Sequence, residues 1–523
     1  MSGRVYLVGA GPGDPGLLTR RAERCLAAAD VVIHDYLVSA SLLSLVRPEA
    51  ELVAVGRSHD ARLAQADIEA LLVARARAGK LVVRLKNGDP FLFGRGGEEA
   101  EALRRAGVPF EVVPGVSSAL AVPAHAGIPL THRDHASLVT IATGHQALDD
   151  AEDGPVAPAL PWASLVGTGG TLVFLMGMRA LSEITRALIA HGMAPDTPAA
   201  VVVRGTTARQ ARVVATVATI AEQARAAGLG APGVVVIGSV VGLGERLAWA
   251  EARPLFGRRI VVTRAREQAA GLADILEARG AEVILFPTIA LVPPEDPAPL
   301  ARAVAAAAGY DWMFFTSVNG VRAFFAAFAA AGRDVRELHR VRIGAIGPET
   351  AAELERRLLR PELVPEEFRA EGMVRALEAM ALDGARVLLP RAAGARALLP
   401  DALRARGATV DDAIVYRAVL PAGADVDGLA QALAAGDVDA ITFTSSSTVR
   451  HFVAMIGPER VAAIGRAARP VVACIGPVTA ETAAEVGLPA GVVPASYTVP
   501  ALADALVEHF CKGGADPLCE GRR

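Results

Sequence analysis

The chain has 523 residues, of which 52% are hydrophobic and 21% charged. This length predicts two to four folded units, and the composition excludes a disordered chain. A formal net charge of −3 excludes the strongly basic surface that captures nucleic acid. No stretch of the sequence has the character of a signal peptide or a membrane span. We therefore expect a cytoplasmic globular protein with neither nucleic acid nor a membrane as its partner.

The cysteines lack the paired spacing of zinc sites and of small disulfide frameworks. They are Cys25, Cys474, Cys511 and Cys519. We therefore expect no bound metal.

The first half alternates short apolar runs with helical segments rich in Ala, Leu, Arg and Glu, which predicts a parallel sheet covered by helices. The predicted strands are Val5–Val8, Val31–Asp35, Val82–Leu85, Thr171–Leu175, Ala200–Arg204 and Val234–Ile237. A fresh strand starts at Arg259, just after the segment Glu251–Gly257. The boundary between the two halves is predicted within that segment.

The second half contains an internal duplication. Phe315-Thr316-Ser317 recurs as Phe443-Thr444-Ser445, and Ile346-Gly347-Pro348 recurs at nearly the same spacing as Ile475-Gly476-Pro477. This predicts two similar α/β lobes whose equivalent turns face one cleft, because ligands bind beyond the carboxyl ends of strands in open sheets. The alternative is a duplicated scaffold without a site between its lobes.

The motif Gly9-Ala10-Gly11-Pro12-Gly13-Asp14 follows one predicted strand and precedes a helix. Its glycines allow a tight turn and a close approach of the backbone to a ligand. A nicotinamide site is one interpretation, since Asp30 or Asp35 lies where that fingerprint needs an acid. The glycine spacing differs from that fingerprint and favours another nucleoside cofactor.

A second motif, Arg84 to Glu99, combines a strand ending in Gly-Asp-Pro with a glycine-rich arginine turn. Further motifs follow in order at Val113–Ser118, Gly127–Arg133, Thr143–His145, Leu175–Met178 and Gly205–Gln210. Together they resemble uroporphyrinogen-III C-methyltransferase of the tetrapyrrole methylase family, over roughly residues 3–250. The resemblance implies a fold of two α/β subdomains that binds S-adenosyl-L-methionine.

The resemblance also implies roles for individual residues. The cofactor pocket would be lined by Pro12, Asn87, Gly88, Asp89, Leu92, Ser117, Ser118, Met176 and Gly205, with Asn87 standing where the family usually has glycine. Asp35 matches the family's proton acceptor, although a helix cap is an alternative role. Arg57 replaces the lysine that is the proposed proton donor, and a permanently charged guanidinium favours binding of a substrate carboxylate instead. Lys86, Arg95 and Arg133 are further candidates for binding substrate carboxylates, and a place on the solvated surface is the alternative for each of these cations.

The second half resembles uroporphyrinogen-III synthase over roughly residues 258–510. The matching motifs are Tyr310–Gly320, the two Ile-Gly-Pro-x-Thr turns, Val415-Tyr416 and Tyr497–Pro500. The resemblance implies two flavodoxin-like lobes joined by a two-stranded connector: lobe A (258–292 and 417–510) and lobe B (293–416). Residues 251–257 would then be a linker and 511–523 a tail.

Hydroxyl groups at helix starts suit a ligand with many carboxylates, since helix N-termini carry partial positive charge. The candidates for substrate binding are Ser317, Thr350, Ser445, Ser446 and Thr479. Ordinary N-capping is the alternative role for each of them. Tyr416 matches the family tyrosine proposed to assist departure of the substrate hydroxyl, and a buried structural tyrosine is the alternative.

The two resemblances imply consecutive reactions. The second half would cyclise hydroxymethylbilane to uroporphyrinogen III with inversion of ring D, without a cofactor. The first half would methylate that product twice to precorrin-2, on the way to siroheme or cobalamin, and would form a homodimer. The alternative is methylation of a later corrin precursor, with a non-catalytic tetrapyrrole-binding module as the second half.

Overall fold

The fold of the chain is that of a computed structural model. It describes residues 3–47, 49–55, 63–144, 158–264, 266–378, 380–421, 425–467 and 469–512. They form four β-sheets, two in each half of the chain, and helices pack against them. Short 3-10 helices lie at Pro15–Leu17, Ser239–Leu243, Ala307–Gly309 and Val335–Leu338. Among the described residues, no helix combines the length and apolar character that crossing a bilayer requires.

The first sheet is entirely parallel. Its elements are β1 (Arg4–Gly9), α1 (Arg20–Ala28), β2 (Val31–Asp35), α2 (Ala40–Leu43), β3 (Glu51–Val55), α3 (Gln65–Arg77), β4 (Leu81–Lys86), α4 (Gly96–Arg105), β5 (Phe110–Val113) and α5 (Ser118–His125). The strand order is β3-β2-β4-β1-β5. Val5, Leu7 and Val83 are completely buried, as expected where helices cover both faces. The turns that follow β1, β4 and β5 therefore meet at one edge of this sheet.

The second sheet is mixed. Its elements are β6 (Val139–Thr143), α6 (Trp162–Thr168), β7 (Thr171–Leu175), α7 (Leu181–Ala190), β8 (Pro198–Val203), β9 (Ala211–Thr216), α8 (Ile220–Ala226) and β10 (Gly233–Ile237). In the order β6-β7-β10-β8-β9, only the first pair is parallel. The prediction of a parallel sheet is thus wrong here, because a short loop after Val203 returns the chain antiparallel.

The second half contains elements in the following chain order: β11 (Arg259–Val262), α9 (Arg266–Ala278), β12 (Glu282–Leu285), β13 (Ala290–Val292), α10 (Ala298–Ala305), β14 (Trp312–Phe315), α11 (Val318–Ala330), β15 (Arg342–Ala345), α12 (Pro348–Glu355), α13 (Ala370–Leu377), β16 (Arg386–Ala392), α14 (Leu398–Ala405), β17 (Thr409–Val419), α15 (Val426–Ala434), β18 (Ala440–Phe443), α16 (Ser446–Ile456), α17 (Pro458–Arg466), β19 (Val471–Cys474), α18 (Pro477–Glu485) and α19 (Val499–Lys512). Because α19 continues to Lys512, the expected tail begins inside a helix.

Each lobe is built around one sheet. Lobe A contains the parallel sheet β12-β11-β18-β19, whose strands come from both ends of the second half. Lobe B is built on the sheet β13-β17-β16-β14-β15, in which only β13 runs antiparallel; β13 and the last residues of β17 lie within the sequence bounds expected for lobe A. The pair β13 and β17 aligns Ala290 with Val419 and Val292 with Arg417. This pair joins the two lobes.

Candidate active sites

A cavity of about 2400 Å³ lies where loops from both sheets of the first half converge, and residues of the second half also line it. All nine residues predicted to contact the cofactor line it, namely Pro12, Asn87, Gly88, Asp89, Leu92, Ser117, Ser118, Met176 and Gly205. They come from loops that are distant in the sequence. We call this cavity the cofactor cleft.

Close packing of three turns shapes one wall of the cofactor cleft. The Gly11 amide donates to the Gly88 carbonyl at 3.2 Å, and the Gly88 amide donates to the Gly11 carbonyl at 2.8 Å. A Cβ atom at Gly9 would come within 2.5 Å of the Gly88 carbonyl oxygen and within 2.6 Å of the Cα atom of Gly115, in the turn after β5. The turns after β1 and β4 therefore need glycine, because any side chain would force them apart.

The Asp89 carboxylate ties two of these turns together. One oxygen accepts from the Phe91 amide at 2.8 Å, and the other accepts from the Gly115 amide at 3.0 Å. Ser117 caps α5, since its hydroxyl accepts from the Ala119 amide at 3.2 Å. Asp89 thus fixes the loop that leads to Ser117, which is a positioning role the sequence did not reveal.

Strained backbone concentrates at the cofactor cleft. Among the described residues, six non-glycine residues have positive φ, and five of them line the cleft. These five are Phe93 (54°), Arg95 (59°), Met176 (57°), Arg204 (47°) and Thr206 (68°). Each costs about 1–2 kcal/mol, and such residues cluster at functional sites. The sequence did not predict these positive φ values, because none of these residue types favours that backbone conformation.

A buried group of charges lies beside the cofactor cleft. Asp35, at the end of β2, accepts from the Arg84 guanidinium at 2.5 Å and from the Asn87 amide at 3.3 Å. One oxygen of Glu99 accepts from Arg84 at 3.0 Å and from the Lys86 ammonium at 2.8 Å. The side chain of Glu99 is fully buried. Asp35 lines the cleft, so this buried charge group, Asp35–Arg84–Glu99–Lys86, links the cleft to the core of the first sheet.

Lys86 does not fit its expected role as a ligand for substrate carboxylates. Its side chain is only 3% exposed, and its ammonium pairs with Glu99. Burial lowers its pKa, the neighbouring Arg84 lowers it further, and Glu99 acts in the opposite direction. The expectation is wrong because Lys86 ends a strand that is covered on both faces. Its ammonium group therefore pairs with Glu99 inside the protein and not with a ligand in the cleft.

The other cations expected at the substrate differ in position. Arg95 lines the cleft, where its guanidinium pairs with the exposed Glu98 at 2.6 Å. Arg133 lies exposed in the turn where His132 bridges to Ala136, and it is not among the residues that line the cleft. Arg57 lies outside the described residues.

In lobe B, the Tyr416 hydroxyl lies 3.3 Å from the Ser317 hydroxyl. Ser317 also caps α11, because its hydroxyl accepts from the Gly320 amide at 2.9 Å. Two of the residues expected to serve the synthase reaction thus meet at the start of a helix, beyond the carboxyl end of β14.

The remaining hydroxyl residues are held within their own lobes. Ser445 caps α16 by accepting from the Thr448 amide at 3.3 Å, and the Ser446 hydroxyl lies 2.7 Å from that of Thr482. Thr350 and Thr479 are only 4% and 5% exposed, so their side chains offer little surface to a ligand. Capping and burial account for these positions, and the described hydrogen bonds of these hydroxyls do not cross between the lobes. Across the described ranges, no group of three His, Cys, Asp or Glu residues is arranged to hold a metal ion.

The fold and the cleft define two α/β enzymes joined in one chain, and comparison with known proteins identifies both. Residues 4–221 match the tetrapyrrole (corrin/porphyrin) methylases, and residues 270–504 match uroporphyrinogen-III synthase HemD. The porphyrin biosynthesis protein HemD of Ruminiclostridium josui is 36% identical over 510 residues, covering 97% of this chain and 98% of that protein. The chain therefore belongs to the tetrapyrrole methylase family in its first half and to the uroporphyrinogen-III synthase family in its second half.

Relatives that match about half of the chain carry more specific names. An S-adenosyl-L-methionine-dependent uroporphyrinogen III methyltransferase of Methanosarcina barkeri is 48% identical over 248 residues, which are 47% of this chain and 94% of that protein. A siroheme synthase of Methylobacillus flagellatus is 50% identical over 253 residues, which are 48% of this chain and 53% of that protein. This chain thus spans only about half the length of that siroheme synthase.

Proposed function

We propose that the chain is a bifunctional enzyme of tetrapyrrole synthesis: an S-adenosylmethionine-dependent uroporphyrinogen-III C-methyltransferase followed by a uroporphyrinogen-III synthase. The observation that carries the proposal is the convergence of all nine expected cofactor residues on one cavity. The full-length relative named for porphyrin biosynthesis supports the pairing of the two activities.

The second half acts first and closes linear hydroxymethylbilane to uroporphyrinogen III. The bond between carbon and the hydroxyl oxygen breaks, driven by electrons of the adjacent pyrrole nitrogen, and water leaves. Tyr416 donates the proton that the departing hydroxyl needs, and Ser317 orients the phenol from 3.3 Å. A pyrrole carbon of ring D then attacks the carbon that lost the hydroxyl, which closes the macrocycle, and the proton that ring D loses returns to the Tyr416 oxygen. The protein holds the chain of pyrroles folded while ring D inverts, which is an effect of orientation that requires no cofactor.

The first half then methylates uroporphyrinogen III twice to precorrin-2. S-adenosylmethionine, when bound, supplies the methyl groups, and the nine cleft residues would hold it. The substrate becomes cationic as its pyrrole carbon gains the methyl group. Asp35 lies at the cleft with one oxygen engaged by Arg84 and the other by the Asn87 amide. Each carboxylate oxygen has a second lone pair, so Asp35 can stabilise that cation and receive the proton it loses.

Several expectations remain predictions. They are domain limits of 1–250 for the methyltransferase and 258–510 for the synthase, a homodimer through the methyltransferase, a cytoplasmic location, and delivery of the product to siroheme or cobalamin synthesis. Sedimentation of the full chain would test the dimer directly.

The test of the proposed function is mass analysis of the products made from hydroxymethylbilane with and without S-adenosylmethionine. Without it, we expect uroporphyrinogen of the III isomer; with it, we expect a product heavier by two methyl groups. Spontaneous closure gives the wrong isomer, so heat-inactivated protein is the control. If the chain yields only that wrong isomer, the synthase assignment is wrong. If supplied uroporphyrinogen III gains no methyl group, the methyltransferase assignment is wrong.

A further inference from the structure

The loop between β8 and β9, residues 204–210, is a strained part of the cofactor cleft. It carries Gly205, and the flanking Arg204 and Thr206 have φ of 47° and 68°. Non-glycine residues hold such conformations only when surrounding contacts impose them. The contacts of this loop therefore decide whether it keeps the shape that the cleft requires. We call it the cofactor loop.

Contacts within the first half support one end of the cofactor loop. The Thr206 hydroxyl accepts from the Asp14 amide at 3.1 Å, which joins the loop to the glycine turn after β1. The Thr206 amide donates to the Gln210 side-chain oxygen at 3.0 Å, which closes the loop on itself.

Contacts from outside support the other end. The Gln210 amide group donates to Glu251 at 3.4 Å, and Arg212 pairs with the same carboxylate at 3.0 Å. Glu251 belongs to the segment that joins the two halves. The guanidinium of Arg209 forms an ion pair with Asp437 at 2.6 Å. Asp437 lies in lobe A, between α15 and β18, so this ion pair runs from the cofactor loop to the synthase half.

Asp437 is itself held in place by lobe A. Its carbonyl oxygen accepts from the Arg259 guanidinium at 2.9 Å, and Arg259 also pairs with Glu282 on β12 at 2.8 Å. Lobe A residues of this region, including Arg259 and Glu282, line the same cavity as the cofactor residues. The synthase half therefore meets the methyltransferase at the cofactor loop.

We infer that lobe A is a structural partner of the methyltransferase, and that the Arg209–Asp437 ion pair holds the cofactor loop in the shape that binds S-adenosylmethionine. Arg209 is a positioning residue, because it acts on the cofactor through the strained backbone of residues 204–206. The inference rests on the proposed function in one respect, namely that the first half binds this cofactor.

The test uses charge reversal in the full-length chain: Arg209→Glu, Asp437→Arg and the double swap. Each single reversal replaces an attraction with a repulsion, and we expect the Kd for S-adenosylmethionine to rise about three- to tenfold. The double swap should recover the affinity only in part, because the Asp437 carboxylate also lies 3.9 Å from the Arg259 guanidinium, which an arginine at position 437 would repel. In methylation of supplied uroporphyrinogen III, KM for the cofactor should rise while kcat stays nearly constant, because the ion pair acts on binding.

The matched control is the ion pair between Arg75 on α3 and Glu51 on β3, neither of which lines the cleft. Its side chains are 39% and 44% exposed, close to the 35% and 46% of Arg209 and Asp437. Arg75→Glu should leave the Kd unchanged. Synthase activity in each sample reports whether lobe A is folded, and if Asp437→Arg loses that activity, Arg209→Glu and the milder Asp437→Asn carry the test.

The outcomes are distinct. A Kd that changes no more in Arg209→Glu than in Arg75→Glu overturns the inference, as does a double swap no better than the single reversals. A wild-type chain that binds no S-adenosylmethionine in calorimetry overturns the proposed function instead. Support for the inference includes a difference between wild type and Arg209→Glu that shrinks at high salt, because salt screens an exposed pair.

Discussion

The buried charge group beneath the cleft gives a sharp prediction for Glu99→Gln. Glutamine keeps the shape of Glu99 but removes its charge, which leaves the 3% exposed side chains of Arg84 and Lys86 without that carboxylate. Removing one partner from a buried ion pair costs about 3–5 kcal/mol. A typical domain has only about 5–15 kcal/mol of net stability. The neighbouring Glu98→Gln is the control, since Glu98 is 51% exposed and its pair with Arg95 is worth about 0–1 kcal/mol.

Hydrogen exchange followed by mass spectrometry measures this cost locally, which suits a chain of several domains. Amides of β4 and α4 should exchange about two to four orders of magnitude faster in Glu99→Gln, and no more than about fivefold faster in Glu98→Gln. Burial already lowers the pKa of Lys86, so the penalty in Glu99→Gln should shrink as the pH rises and Lys86 loses its proton. Equal exchange in the two variants would refute the conclusion that this charge group stabilises the first sheet.

Three further predictions concern the cleft, the synthase and the contact between the halves. Asp89→Ala removes the acceptor for the Phe91 and Gly115 amides, so calorimetry should show S-adenosylmethionine affinity reduced about five- to 150-fold; an unchanged affinity in a folded variant would contradict the positioning role. Tyr416→Phe should lower kcat for cyclisation about 10²- to 10⁴-fold in a rapid isomer assay, whereas a change confined to KM would argue against proton donation. Burial raises the pKa of Glu277 from 4.5 to about 7, and the nearby carboxylates of Asp14 and Asp274 add to this effect. Between these two pH values the folded chain holds a proton that the unfolded chain has released, so the free energy of unfolding should fall as the pH rises from about 4.5 to about 7. Thermal unfolding at pH 5 and pH 8 should show that loss in the wild type but not in Glu277→Gln, and an identical loss in both would exclude Glu277 as its source.

Strand positions in the first half followed closely from the sequence. Val31–Asp35 and Thr171–Leu175 have the predicted bounds, because short apolar runs between helical segments leave little freedom. Strand direction in the second sheet did not follow. The return after Val203 depends on left-handed residues such as Arg204, and nothing in their chemistry marks them for that conformation.

The candidate site was predictable where motifs carry backbone requirements, as in the turns around Gly11 and Gly88. Charged side chains were harder to assign. Lys86 and Arg95 belong to the same cation-rich motif. The side chain of Lys86 is buried against Glu99, whereas Arg95 lines the cleft. The difference depends on whether a side chain at the edge of the sheet points into the core or toward the cleft, and the sequence motif does not specify that direction. The pairing of Arg209 with Asp437 joins two halves with separate motifs, so only the folded chain reveals it.

The split construction of lobe A has a consequence for synthesis of the chain on the ribosome. Val261 of β11 pairs with Ile441 of β18, so the neighbour of an early strand emerges only after the whole of lobe B has been made. Until then β11 and β12 have an open edge and an uncovered apolar face, which invites association with other nascent chains. The first half is complete by that time and carries the surface around Arg209 on which lobe A docks. Folding of lobe A is therefore completed last, next to a first half that has already been made.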